Sequence, residues 1–250
     1  MKYSFVTQQL VQRELKRKYS RSRLGILWSV LNPLLSMAVL SLVFSTMFRK
    51  SIENYPVYYL TGLILWNFFT GATNAAMTSL ADNRTLLLQT RFPRAVFPLS
   101  RVLASFVNFL YSLAAYAVIL AVFSIRPAWT MALFVPIVAL LGLFAMGVGF
   151  LLSILYAYFG DIRHLYGVLL TLWMYLSALF YPVSLLPETM QKVIGENPIY
   201  CYIAAARDCM MYGQVPPAGL WARVVLWAVF VFWAGSRCFS KNQGKIIQSL

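Results

Sequence analysis

The sequence predicts an all-α membrane protein with six transmembrane helices, and three observations carry that prediction. Of its 250 residues, 60% are hydrophobic and only 11% are charged, against about 25% charged in an ordinary soluble domain. The charges are gathered into clusters. The apolar runs between them reach the roughly 20 residues that a helix needs to cross a bilayer, and they raise the mean hydropathy to +0.69.

Taken in order, the first span is expected over residues 30–48, closed by Arg49-Lys50, and the second over 57–80, ended by Asp82. The third lies between Arg101 and Arg126, and the fourth covers 129–158, long enough to tilt. The fifth is expected over 166–181 and the sixth over 220–235, where Arg223 and Arg237 must snorkel to the two surfaces. Within one domain over residues 1–250, three segments stand outside the spans: 1–23, 82–98 and 182–219. The last carries two short proline-bounded stretches, with Asn197-Pro198 opening the second, too short and polar to span and expected to dip in as re-entrant elements.

Six spans put both termini on one side. Fifteen of the 21 Lys and Arg residues fall on that side, including seven before the first span. Cytoplasmic connections carry the excess of Lys and Arg, so both termini are expected in the cytoplasm. The net charge of +14 is therefore read as topology and not as a nucleic-acid surface. The apolar run behind Arg23 is about 25 residues, too long for a signal-peptide h-region.

The three cysteines supply no disulfide framework; Cys201 and Cys209 are expected about 12 Å apart on one helix. His164 is the lone histidine, with no partners for a metal. The seven carboxylates are scattered and stay out of the span interiors, which weighs against acid–base catalysis or a proton relay in the membrane. A phosphate-binding loop is missing too: the only Gly-Lys, Gly244-Lys245, is followed by Ile246. A non-enzymatic transport chain with no cofactor of its own follows, so any nucleotide energy must come from a partner.

Three elements carry chemistry. In the N-terminal segment Leu10, Val11, Leu15 and Tyr19 fall on one helical face and Gln9, Arg13, Lys16 and Arg17 on the other. Such a helix lies in the membrane interface with its cations toward headgroups or an acidic partner. In the loop between spans two and three, Arg84, Arg91, Arg94 and Arg101 alternate with Leu86, Leu87, Leu88, Phe92 and Phe97. That pattern suits a short helix plugged into another protein, or one embedded in the membrane surface. In span two Asn67, Gly71, Asn74 and Thr78 form one stripe, facing a partner helix or a water-filled path. Aromatics flank it: Tyr58, Tyr59, Trp66, Phe68 and Phe69, joined by Trp173, Tyr175, Phe180 and Tyr181 from span five. Their faces suit sugar rings, and an interfacial belt is the alternative.

Four stretches, in order along nearly the whole chain, complete the pattern: "RELKRKYSRSRLGILWSVLNPLL", "NRTLLLQTRFPRAVFPLS", "YFGDIRHLYGVLLTLWMYLSALFYPVSLLP" and "NPIYCYIAAARDCMMYG". In these the chain resembles the membrane subunits of type-2 ABC exporters of polysaccharides, such as O-antigen, capsule and teichoic-acid transporters. It departs from them at Gly160, where family members often carry Arg. The resemblance implies a homodimer in the bacterial plasma (inner) membrane, docked on two copies of a separate ATPase that binds ATP and Mg. The N-terminal segment resembles the family's interface helix and residues 83–97 its coupling helix. Arg13, Lys16, Arg17, Arg84, Leu87, Arg91, Phe92 and Arg94 are thus expected to meet the ATPase. The 182–219 segment resembles the family's gate helices. The implied cargo is an undecaprenyl-diphosphate-linked glycan. Charge and depth place Arg21 and Arg23 near its diphosphate, and Tyr58, Tyr59, Trp66, Asn67, Phe69, Trp173, Tyr175, Phe180 and Tyr181 are expected along the glycan path. An exporter of drugs or small lipids and a membrane scaffold of glycan assembly remain the alternatives.

Overall fold

The computed structural model describes residues 4–20, 22–48, 51–89 and 92–243, and every regular element among them is helical. Arg49, Lys50 and Lys245, used above for orientation or motif reading, lie outside these residues. Ten α-helices follow one another: α1 (Ser4–Tyr19), α2 (Leu27–Phe44), α3 (Tyr55–Thr78), α4 (Arg84–Gln89), α5 (Val96–Val122), α6 (Phe134–Tyr158), α7 (Ile162–Leu176), α8 (Glu188–Gly195), α9 (Pro198–Met210) and α10 (Ala218–Asn242).

Four of the described segments are long and apolar enough to cross a membrane: α2, α5, α6 with the 3-10 turn before it, and α10. The two other expected spans differ for identifiable reasons. Helix α3 has 24 residues but carries Asn67, Asn74 and four threonines, a load it tolerates because most of its surface is sealed by protein. Helix α7 has only 15 residues, about 22 Å of rise against about 30 Å of hydrocarbon. The third span begins earlier than expected, at Val96, and takes Phe97 and Pro98 out of the preceding loop.

The core is built around α3, which packs against α2, α5, α6, α7 and α9. Behind it α6 pairs with α10 at a glycine crossing. A Cβ on Gly235 would stand 2.2 Å from the Gly147 carbonyl oxygen, and one on Gly147 would stand 2.5 Å from that of Val231. Small residues let two backbones touch where apolar side chains could not distinguish a neighbour from lipid.

Pro33 sits in the second turn of α2 and not, as its position behind the basic cluster suggests, at the helix start. Lacking an N–H, it leaves the Ser29 carbonyl without its intrahelical donor. Ser112 of α5 supplies one, Oγ to Ser29 O at 2.8 Å. The second proline-bounded stretch begins where expected: the Asn197 side chain accepts from the Ile199 N–H at 3.0 Å, with Pro198 in the first turn. Helix α9 is packed into the core along Ile199, Cys201, Tyr202, Ile203, Ala205 and Ala206, and Cys201 and Cys209 are buried free thiols.

Candidate functional site

Helices α1, α2, α3 and α5 enclose a polar cleft on one flank of the bundle. Its lower chamber, about 510 Å³, is lined by Glu14, Arg17 and Lys18 of α1, Gly71, Asn74 and Thr78 of α3, Arg101, Ser105 and Asn108 of α5, and Arg163. An upper chamber of about 170 Å³ shares Lys18, Gly71, Ser105 and Asn108 and continues along Ser29, Asn32, Asn67 and Ser112. The Asn67–Gly71–Asn74–Thr78 stripe thus faces a cavity, because every other side of α3 is occupied by packed helices. The end of α1 is pinned to this wall by the Tyr19 hydroxyl, which donates to Asn108 Oδ1. Burial pushes the Lys18 ammonium below its usual range and the Tyr19 phenol above its own, since each charged form loses solvation there.

Beneath the cleft lies an ion-pair network that sequence reading missed. Glu14 is an acid within a basic run, and its side chain is only 7% exposed. It pairs with Arg101 of α5, with Arg17 at 3.2 Å and with Arg13 at 3.2 Å. Arg101, 6% exposed, reaches Asp82 at 2.8 Å through its other nitrogen, and Thr78 donates to the same carboxylate at 3.0 Å. Arg13 also donates to the Asn83 side chain. Helix α1, the loop after α3 and α5 are therefore tied at one point. An arginine fork holding two carboxylates fixes geometry as well as charge. The available signal was Glu14 itself, four residues past Leu10 and so on the same helical face.

The residues expected to meet a partner divide. Lys16 and Arg84 are exposed, Phe92 is exposed at the edge of the loop, and Arg94 is half-buried. Arg13 and Arg17 are engaged in the network, and Arg91 lies outside the described residues. Leu87 requires a correction: it is buried in the core beneath α4, while its neighbour Leu88 is 59% exposed. Neighbouring residues on a helix point about 100° apart, so with Leu87 turned to the core Leu88 faces out.

The aromatic set also divides, and four of its members correct the expected path lining. Tyr58, Tyr59, Trp66 and Phe69 are buried inside the chain. Phe69 meets Trp173 edge-on at 5.3 Å, Tyr59 stacks on Phe180 at 5.7 Å, and Tyr58 donates to the Tyr181 carbonyl at 3.0 Å. Trp173 is held by its indole N–H to Asn197 Oδ1 at 2.8 Å. These rings join α3 to α7 and α9 because a 15-residue helix needs side support. Asn67 in the cleft and Tyr175, 56% exposed, remain free to meet something outside. Of the two arginines expected at the diphosphate, Arg23 is exposed and Arg21 lies outside the described residues.

Arg207 is a second group that sequence reading missed. It is buried in α9 and, among the described residues, takes part in no ion pair. Its guanidinium donates to the carbonyls of Ala178 at 3.1 Å, Leu179 at 3.2 Å and Tyr58 at 3.3 Å and lies 3.4 Å over the Tyr58 ring. A cation at the C-terminal end of α7 satisfies carbonyls and complements the helix dipole.

Four helices long and apolar enough to cross a membrane, with a polar cleft on one flank of the bundle, make the fold of a helical membrane protein. The family model described as "ABC-2 type transporter" matches residues 6–211, and the chain belongs to that family. It is similar to the O-antigen export system permease protein RfbA of Myxococcus xanthus, 31% identical over 96% of this chain and 94% of that protein. A protein of the same name from Klebsiella pneumoniae is 31% identical over 82% of this chain and 80% of its own length. The polysialic acid transport protein KpsM of Escherichia coli is 22% identical over 82% of this chain and 81% of its own.

Proposed function

We propose that this chain is the permease subunit of an ABC exporter that moves a lipid-linked O-antigen- or capsule-type polysaccharide across the bacterial inner membrane. One observation carries the reading: the α1–α5–Asp82 network lies directly under a polar cleft that shares its walls. A push on α1 or on the α4 loop reaches the cleft through side chains already in contact, without a flexible segment between them.

In this reading two copies of the chain stand on two copies of a separate ATPase, both termini are cytoplasmic, and six spans are completed by α3 and α7. ATP and Mg stay on the ATPase. The exposed Lys16, Arg84, Leu88 and Phe92 and the half-buried Arg94 meet it, and its closure moves α1, α4 and α5 as one body. The cleft widens along the asparagine stripe. Arg23, together with Arg21, engages the diphosphate of the carrier lipid, and Lys18 and Arg163 in the cleft lining add charge where the sugar chain begins. Neutral amide and hydroxyl groups farther up give a sliding glycan many weak partners and no tight one. Helices α8 and α9 close the outer end.

The test is co-purification with the cognate ATPase followed by hydrolysis assays. Lipid-linked glycan is expected to change the ATPase rate, and a small lipophilic drug is expected to leave it unchanged; the reverse pattern selects the drug-exporter reading. Unchanged glycan affinity and export in an Arg21→Gln/Arg23→Gln variant would remove the diphosphate role.

A further inference from the structure

One surface feature is used by none of the above. Toward its C-terminal end, α10 presents Trp233, Ser236, Arg237, Ser240 and Lys241 around an open hollow of about 440 Å³. Their spacing of three and four residues puts all five on one helical face. Among the described residues neither cation takes part in an ion pair. The serines donate their protons to the helix, Ser236 to Trp233 O at 3.0 Å and Ser240 to Ser236 O at 2.8 Å. Small and internally satisfied, they leave room between the indole and the two cations.

The same face continues toward the helix N-terminus as an apolar band of Leu226, Val229, Phe230 and Trp233, the last 58% exposed. From Leu226 to Arg237 the rise is about 16 Å, close to half of the roughly 30 Å hydrocarbon core. Of that rise the apolar strip from Leu226 to Trp233 covers about 10 Å; with a tryptophan at its rim and two cations just beyond, unpaired among the described residues, it matches the headgroup-side part of a single phospholipid.

We propose that this face of α10 is a binding site for an anionic phospholipid. Arg237 and Lys241 hold the phosphodiester, Trp233 packs beside the glycerol region, and an acyl chain lies along Phe230, Val229 and Leu226. Charge decides the headgroup: two cations with no acid paired to them among the described residues favour a net-negative lipid over a zwitterionic one, by roughly fivefold per cation. The site rests on α10 crossing the bilayer and not on what the complex exports.

Native mass spectrometry of the purified full chain, titrated with phosphatidylglycerol or phosphatidylcholine, tests this. The wild type is expected to retain phosphatidylglycerol preferentially, Arg237→Gln/Lys241→Gln to lose the preference, and Arg237→Lys to keep it. Trp233→Ala is expected to weaken retention of both lipids. Glycerol phosphate, the headgroup without chains, is expected not to compete. Equal phosphatidylglycerol retention by wild type and the double Gln variant overturns the proposal. So does efficient cross-linking between copies through Ser240→Cys in a Cys238→Ser background, which would make this face a protein interface. Export and ATPase assays do not enter the readout, so failure here leaves the transport reading untouched.

Discussion

Arg101 binds Glu14 of α1 with one guanidinium nitrogen and Asp82, at the foot of α3, with the other. Both Glu14 and Arg101 are almost fully shielded from solvent; removing Arg101 leaves Glu14 only the more exposed Arg13 and Arg17, and Asp82 only Arg17, at a cost of up to the about 3–5 kcal/mol of a broken buried pair. Arg101→Gln is expected to cut the yield and thermal stability of the chain sharply. Glu14→Gln with Arg101→Met, which removes both buried charges, is expected to recover much of the fold while leaving ATP hydrolysis poorly linked to transport. Scanning calorimetry and a paired ATPase and export assay separate the two effects.

Replacement of Arg207 tests the clamp at the end of α7. Arg207→Met leaves three carbonyls without their donor, and each hydrogen bond to a charged group is worth about 1.5–3 kcal/mol. A large fall in melting temperature is expected. Arg207→Lys is expected to fall between, since a compact ammonium cannot spread over the same three acceptors.

The glycine crossing gives an internally controlled comparison. Gly235→Ala puts a methyl group 2.2 Å from the Gly147 carbonyl oxygen, so α6 and α10 must part, an overpacking cost of about 1–3 kcal/mol or more. Gly167→Ala meets nothing within 4 Å and is expected to leave stability unchanged or slightly raised. Melting temperatures measured side by side in one detergent decide it.

Two aromatic replacements should part company. Trp66→Ala opens a cavity in the core, expected to cost about 3–5 kcal/mol and to lower the amount of folded chain. Tyr175→Ala changes an exposed ring and is expected to slow export at normal abundance. Export per copy of folded protein is the measurement; an unchanged rate for Tyr175→Ala would remove that ring from the glycan path.

Ser112→Ala leaves the Ser29 carbonyl of α2 unsatisfied beside Pro33, at about 1 kcal/mol. Adding Pro33→Ala restores an intrahelical donor, so the double variant is expected to be the more stable of the two. A double-mutant cycle read by thermal denaturation shows the coupling.

Composition and charge spacing were enough to specify an all-helical membrane chain, the basic amphipathic helix and the Asn-Pro start of α9. Each depends on local spacing: apolar run length, a 3.6-residue period, or a capping residue beside a proline. The polar stripe of α3 was legible for the same reason. Everything that required knowing which faces meet was decided by the tertiary structure. Tyr58, Tyr59, Trp66 and Phe69 turned inward because short α7 and buried α9 need them as packing. Leu87, expected at a partner surface, faces the core and Leu88 faces out, because neighbouring residues on a helix point about 100° apart. Glu14, Asp82 and Arg101 are far apart along the chain and unremarkable one by one. Only the crossing of α1 over α5 brings them within ion-pair distance, because the burial that shields them comes from helices distant in sequence.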